Sequence, residues 1–275
     1  MAIKLIAFDL DGTLLTSRKE ITPETRAALR AAADKGILTV PASGRLYPGL
    51  PEELKGPDFR YSILCNGMIV YDALEDRKLC EYPLSFEETM RFLDYAESIG
   101  IFYFYDCYAD DLAWMSKDIY DDLPRLITDP NFLKMLKELR TPVYDLRSWL
   151  VERHKPVQKL LFYFMDPQQR LEQLKIMPEL FPDYNITSSI YCNIEINTKA
   201  SDKGTALRSL CEKLGIDIRD TMVFGDGLND IGMFRAAGLS VAMANADPAL
   251  KAEADFVTAG NDENGVAAAI RRFAL

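Results

Sequence analysis

Residues 6–13 read IAFDLDGT, and the way this run ends decides the fold. From Ile3 to Phe8, with Lys4 as the one polar break, the chain reads as a strand buried on both faces. It then runs into two carboxylates, Asp9 and Asp11, followed at once by Gly12 and Thr13. Side chains alternate along a strand, so Asp9 and Asp11 leave on the same side, within one small volume. Two like charges there repel, and one would lose its charge unless something positive sits between them. Gly12 lets the backbone turn where a side chain would obstruct it. The pattern asks for a cation, and hard carboxylate oxygens suit Mg²⁺. A solvated turn is the ordinary alternative. With four fixed positions at roughly 1-in-20 usage, DxDGT arises by chance about once in 600 chains of this length.

The segments that follow repeat the form. ITPETRAALRAAADKG is a helix with Thr22 as N-cap and Pro23 at its first position, stopped by Gly36. ILTVPASGR returns as a strand, and YSILCNG is another that ends on polar residues and glycine. MIVYDALEDRKLCEY reads as a strand pair around an Ala-Leu-Glu-Asp turn. Strand, helix, strand in this rhythm means a parallel sheet with crossover helices. The rhythm comes back near the end, with helix TALRSLCEKLG, strand TMVFGDG, helix NDIGMFRAAG and strand LSVAMAN. Helix ADPALKAEA, strand ADFVT and helix NGVAAAIRRFAL close the chain. Both terminal segments belong to one α/β layer.

The middle is patterned differently. Ser85 and Glu88 form a capping box that opens a helix running to Gly100. GIFYFYDCYADDLAWMS follows as an aromatic-rich hairpin with a polar tip from Asp106 to Asp111. Asp129-Pro130 and Asp166-Pro167 start further helices, and PVQKLLFYFM and DYNITSSIYCNIEINT read as strands, the latter a hairpin about Ser189. Such α+β patterning predicts an inserted domain at 84–188, between core segments 1–83 and 189–275.

Strand ends of a parallel sheet gather at one edge, where such folds place their ligands. The first strand delivers Asp9, Asp11, Gly12 and Thr13; the second Ser43, Gly44 and Arg45; the third Asn66 and Gly67. TMVF delivers Gly225, Asp226, Gly227, Asn229 and Asp230, and Lys203 opens a helix, whose first N–H groups favour an anion. Each element alone has an ordinary reading. SGR would serve any turn, and a lysine near a helix start is usually solvated. GDGLND is stronger, because carboxylates and an amide flanking two glycines suit a turn that touches a metal; a calcium loop would need a glutamate that is absent. Together they make a phosphoryl-transfer set: metal, cation and donors around a candidate carboxylate nucleophile.

Composition narrows the partners. At 275 residues, 48% hydrophobic and 27% charged, the chain is an ordinary globular one of one large or two medium domains. A net charge of −10 argues against bulk electrostatic binding of nucleic acid or anionic membrane. Five scattered cysteines with no CxxC pair are neither a disulfide framework nor a zinc site, and fit a reducing cytoplasm. The single histidine, His154, lies in the charged stretch VERHKP and reads as a surface residue. No apolar run reaches the ~18 residues of a membrane span, and the N-terminal run meets Asp9 too early for a signal peptide.

DLDGT, SGR, the lysine of DKGTAL and GDGLND resemble the four motifs of the haloacid dehalogenase-like phosphatases. NGMIVYD, VAMANA and ADFVTAGNDENGVAAAI are similar to the Cof-type branch, whose large cap is inserted between the second and third motifs. The resemblance implies a Rossmann-like parallel-sheet core with an inserted α+β cap. It also implies roles. Asp9 attacks phosphorus, and Asp11 protonates the leaving oxygen and then activates water. Ser43, Gly44, Lys203 and Asn229 bind the phosphoryl group. Asp9, Asp11 (through its backbone carbonyl), Asp226 and Asp230 form the Mg²⁺ site. Ser43 stands where Thr is commoner, with the same hydroxyl. The expected function is an Mg²⁺-dependent phosphatase of small phosphorylated metabolites, sugar phosphates foremost. A hexose phosphomutase and a non-catalytic phosphometabolite-binding protein are the alternatives. Phe102, Tyr103, Phe104, Tyr105, Tyr108 and Trp114 are candidates to stack on a substrate ring, against the plainer reading that alternation buries half of them in the cap.

Overall fold

The computed structural model describes residues 2–100, 103–188 and 190–275; Phe102 and Ser189, invoked above, lie outside the described residues. In chain order the strands are β1 (Leu5–Phe8), β2 (Leu38–Pro41), β3 (Tyr61–Leu64), β4 (Ile69–Asp72), β5 (Arg77–Glu81), β6 (Phe104–Ala109) and β7 (Leu112–Ser116). There follow β8 (Arg140–Val143), β9 (Lys159–Tyr163), β10 (Tyr184–Thr187), β11 (Asn193–Thr198), β12 (Thr221–Gly225), β13 (Leu239–Ala242) and β14 (Phe256–Val257). The helices are α1 (Pro23–Asp34), α2 (Phe86–Ile99), α3 (Lys117–Leu126), α4 (Pro130–Leu139) and α5 (Leu146–Arg153). The rest are α6 (Pro167–Leu180), α7 (Lys203–Leu214), α8 (Ile231–Ala236), α9 (Pro248–Ala252) and α10 (Gly265–Phe273).

The chain divides into two units, one from residues up to Glu81 and from Ala200 onward, the other Tyr82–Lys199. The first is built on a parallel sheet of order β14-β13-β12-β1-β2. Its two central strands are buried along their whole length, which is why both read as unbroken apolar runs. Each fully buried side chain such as Ile6, Phe8 or Phe224 contributes about 1.5–3 kcal/mol. Thr22 and Asp247 cap α1 and α9 as their sequences predict. A single parallel bridge, Ala42 to Ile63, joins β2 to the antiparallel sheet β3-β4-β5. With all five strands parallel, their C-terminal ends lie along one edge, and each leads straight into a segment singled out above.

The second unit is a six-stranded sheet of order β10-β11-β9-β6-β7-β8. Its register runs Ile196–Leu160–Cys107 across three strands on one face, and Glu195–Leu161–Asp106 on the other. The first face joins Phe92 and Leu93 of α2, Leu146 and Leu150 of α5 and Met177 of α6 in one hydrophobic core. Ser85 closes a capping box at α2, and Asp129 and Asp166 cap α4 and α6. Two expectations need correction. The unit runs to Lys199, beyond the expected boundary at 188, because β11 pairs with both β9 and β10 and completes this sheet. The hairpin tip is Asp110-Asp111, whose positive φ values of 49° and 62° make the tight turn. Asp106 instead lies inside β6, fully buried beside Arg140. Among the described aromatics, Phe104 stacks on Tyr163, and Tyr105 and Trp114 pack against the hydrophobic core, as the plainer reading expects of them. All five cysteines are free thiols, and His154 is an exposed left-handed residue ending α5. No helix among the described residues is long and apolar enough to cross a membrane.

Candidate active site

The end of β1 is tied to the end of β12, since the Asp9 N–H donates to the carbonyl of Phe224 at 3.0 Å. Gly12 then turns the chain at φ +86°, and a Cβ there would stand 2.2 Å from Asp226 Oδ2. Glycine is needed for the turn and for the closeness of that carboxylate. Thr13 Oγ1 donates to Asp226 Oδ1 at 2.7 Å, fixing the side chain that Gly12 admits. Asn245, in the loop after β13, donates from Nδ2 to the Gly12 carbonyl at 2.8 Å. Sequence reading passed over Asn245 as an individual residue, although VAMANA was part of the resemblance.

Lys203 enters from the first turn of α7, which Asp202 caps by accepting from the N–H groups of Gly204 and Thr205. Its Nζ lies 2.5 Å from Asp9 Oδ1 and 2.6 Å from Asp230 Oδ1, and the lysine is wholly buried. Asp230 Oδ2 accepts from the N–H groups of Asp226 and Gly227, both at 3.0 Å. Both Asp230 oxygens are thereby committed to holding the loop and the lysine. Carboxylate oxygens of Asp9, Asp226 and Asp230 all lie within 4.8 Å of one another.

Asp9 and Asp230 both hold Lys203 with Asp226 close by, and the protonation of Asp9 and Asp226 reflects the imbalance. Burial pushes Asp9 up to about 7, with Lys203 pulling the other way and Asp230 and Asp226 adding to the rise. Burial likewise pushes Asp226 up to about 6, against the hydrogen bond from Thr13. Burial works against the charge on Lys203, but Asp230 and Asp9 more than reverse it and raise the ammonium above its usual range. A cluster of hard oxygen donors that is short of positive charge fits a small divalent cation.

Asp11 lies outside this cluster. Its carboxylate takes Lys19 Nζ at 2.7 Å and a forked pair of bonds from Arg45 Nη2 at 2.7 and 2.8 Å. Burial opposes its charge, but Arg45 and Lys19 together hold the carboxyl below the ordinary range. Arg45 was on the strand-end list; Lys19, in a charged run of ordinary loop composition, gave no signal. Ser43 is buried at the end of β2, next to β1, and its Oγ accepts from the Arg45 N–H at 3.2 Å; Gly44 lies between them. Asn229 sits in the short turn after Asp226, and its Nδ2 donates to Asn66 Oδ1 at 3.2 Å. The structure thus brings Asp9, Lys203, Asp226 and Asp230 into one cluster, and holds Asp11 on two cations. A cavity of about 480 Å³ beside α1, lined by Ile21, Leu29 and Phe59, includes none of these residues.

Known proteins resemble this chain along almost its whole length. The family model for haloacid dehalogenase-like hydrolases matches residues 6–270. The 5-amino-6-(5-phospho-D-ribitylamino)uracil phosphatase YcsE of Bacillus subtilis (strain 168) is 34% identical, over 99% of this chain and 96% of its own. Pyridoxal phosphate phosphatase YbhA of Escherichia coli (strain K12) is 27% identical over 97% of each chain. The solved structure of a haloacid dehalogenase-like hydrolase from B. subtilis superposes with a TM-score of 0.79 at 29% identity, over 98% of this chain and 100% of that one. Carrying the strand-end carboxylates within a match that runs almost end to end, this chain belongs to the haloacid dehalogenase-like hydrolases and is a phosphatase.

Proposed function

We propose that the protein is an Mg²⁺-dependent phosphatase of small phosphorylated metabolites that works through a phosphorylated Asp9. The observation that carries this reading is the Asp9 carboxylate, at a strand end, on buried Lys203 and beside Asp226. Asp9 and Asp226 would hold Mg²⁺ with the Asp11 backbone carbonyl, Asp230 supporting them. When bound, the ion supplies positive charge that offsets the phosphate and the clustered carboxylates.

The chain's own groups divide the work. An Asp9 oxygen forms a bond to phosphorus as the ester P–O bond breaks, and Asp11 gives its proton to the departing oxygen. Asp11, now a carboxylate, takes a proton from water as that water's oxygen attacks phosphorus. The Asp9–phosphorus bond breaks, inorganic phosphate leaves, and Asp9 is regenerated. Lys203 offsets charge on Asp9 and the phosphoryl oxygens, to which the Ser43 hydroxyl, the Gly44 N–H and the Asn229 amide donate. The contacts of Asp11 with Arg45 and Lys19 keep it ionised, which suits the second step. The acid step requires those contacts to loosen.

The second unit acts as the cap that selects the leaving group. The relatives' names span a ribitylamino-uracil phosphate and pyridoxal phosphate, so the substrate class is a small phosphomonoester, sugar phosphates among the candidates. A phosphate-release screen over sugar phosphates, nucleotides and cofactor phosphates tests the reading. Activity should disappear in EDTA and return with Mg²⁺. Full turnover by metal-stripped protein would contradict it, and a requirement for a bisphosphate activator without net phosphate release would mark a phosphomutase.

A further inference from the structure

Of the strand-end residues, Asn66 and Gly67 have no part in the chemistry above, yet they occupy the most unusual backbone of the first unit. Cys65, Asn66 and Gly67 follow one another at φ +51°, +59° and +102°. A left-handed conformation is costly for an L residue, least so for Asn, and persists only where its surroundings impose it. The surroundings here are the site. The Cys65 N–H donates to the Arg45 carbonyl at 3.1 Å and the Asn66 N–H to the Ser43 carbonyl at 3.0 Å. Gly67 lies so close to the start of α7 that a Cβ would stand 2.2 Å from the Asp202 carbonyl oxygen and 2.7 Å from the Lys203 nitrogen. The turn therefore touches the segment bearing Ser43 and the one bearing Lys203. The Asn66 side chain reaches the third, accepting from Asn229 Nδ2 at 3.2 Å.

That last bond fixes more than distance. A side-chain amide has a donating and an accepting end, and which end faces a ligand is set by its neighbours. Asn66 Oδ1 can satisfy only the NH₂ end of Asn229. On the other side a Cβ at residue 227 would stand 2.7 Å from Asn229 Oδ1, so the carbonyl end is lodged against Gly227. The second hydrogen of Nδ2 is then the group left to meet an anion. Were the amide to flip, it would present an acceptor to a phosphoryl oxygen, and attraction would become repulsion.

We propose that Asn66 is a positioning residue of this phosphatase, holding the Asn229 amide with its donor toward the phosphate and tying the Ser43 and Lys203 segments together through its left-handed backbone. This rests on the phosphate-binding role given to Asn229. The test is a double-mutant cycle with Asn66→Gly, which keeps the N–H and the left-handed φ and removes only the amide. Asn229→Ala should lower kcat/KM about 10²-fold, the order expected for a lost phosphoryl donor. Asn66→Gly should lower it roughly 10-fold or more with an unchanged melting temperature. The double variant should be no slower than Asn229→Ala alone, since both substitutions remove one coupled function. Losses of Asn66→Gly and Ser43→Ala, whose side chains act separately, should multiply. Full activity of Asn66→Gly, or multiplication of its loss with that of Asn229→Ala, would overturn the proposal. If instead Asn229→Ala is itself fully active, the phosphate-binding role fails first.

Discussion

Both units bury charge, but they balance it differently. At the strand ends of the first unit, Asp9, Asp226 and Asp230 crowd together, one lysine pairs with Asp9 and Asp230, and burial pushes Asp9 and Asp226 up. On one face of the second unit's sheet the count of charges is even, although burial pushes Asp106 up there too, against Arg140. Arg140 Nε meets Asp106 at 2.7 Å and Lys159 meets Glu195 at 2.7 Å, all four side chains almost wholly buried. Tyr163 adds an O–H donated to Asp106 at 3.0 Å, and Asn193 an N–H donated to Glu195 at 3.2 Å. A buried charge that finds its partner is architecture, weakly stabilising at best but costly to break. A buried cluster left short of counter-charge persists where an ion or substrate completes it.

Substitution should separate the two kinds of burial. Asp9→Asn should reduce turnover by ~10⁴-fold or more, as deletion of a covalent nucleophile does. In metal-free protein it should not lower the melting temperature at neutral pH. The sign follows from linkage: Asp9 is raised to about 7 in the fold from 3.8, so its ionised form costs stability that rises through that window and is complete above about 7. The gain from Asn should therefore be largest above pH 7 and vanish below pH ~4. Asp106→Asn should instead lower stability, because it breaks a buried pair, although burial raises this carboxyl as well. It leaves Arg140 buried without its counter-ion and should cost about 3–5 kcal/mol in denaturant unfolding. If Asp9→Asn melts far lower while Asp106→Asn is neutral, the distinction between the two regions is lost. Ser85→Ala should cost less, ~1 kcal/mol, because it removes one capping bond from α2. A loss as large as that of Asp106→Asn would mean that local capping outweighs the buried pair.

The same contrast explains what could be read in advance. The first unit's site is written locally: carboxylates and glycines follow directly on apolar runs, and parallel pairing gathers those ends on one edge whatever the rest of the chain does. The clustering of Asp9, Lys203, Asp226 and Asp230 was therefore legible, and so were the caps at Thr22 and Ser85. The second unit's charges depend on register. Nothing near Asp106 announces Arg140, thirty-four positions on, and DCYADD looks like the tip of a hairpin until the turn is seen at Asp110-Asp111. The boundary misread at 188 has the same origin. β11 alternates like any half-buried strand, and its pairing with β9 and β10 assigns it to the second unit. Lys19 reaches Asp11 across a loop that carries no periodic signal.

The central claim, that Asp9 is phosphorylated and Asp11 moves the protons, is tested most directly by rapid-quench kinetics on Asp11→Asn. The substitution keeps the backbone carbonyl and removes proton transfer, worth about 10²–10⁴-fold. A nitrophenolate leaves without needing a proton and a sugar alkoxide does not, whereas hydrolysis of the aspartyl phosphate needs a base whichever substrate formed it. With nitrophenyl phosphate and Mg²⁺, Asp11→Asn should give a burst of about one nitrophenol per enzyme, with matching acid-stable phosphate on Asp9. A sugar phosphate should give little of either, and Asp9→Asn no burst at all. An Asp11→Asn enzyme that binds Mg²⁺ normally yet shows no aryl burst and no trapped phosphoenzyme would contradict the account.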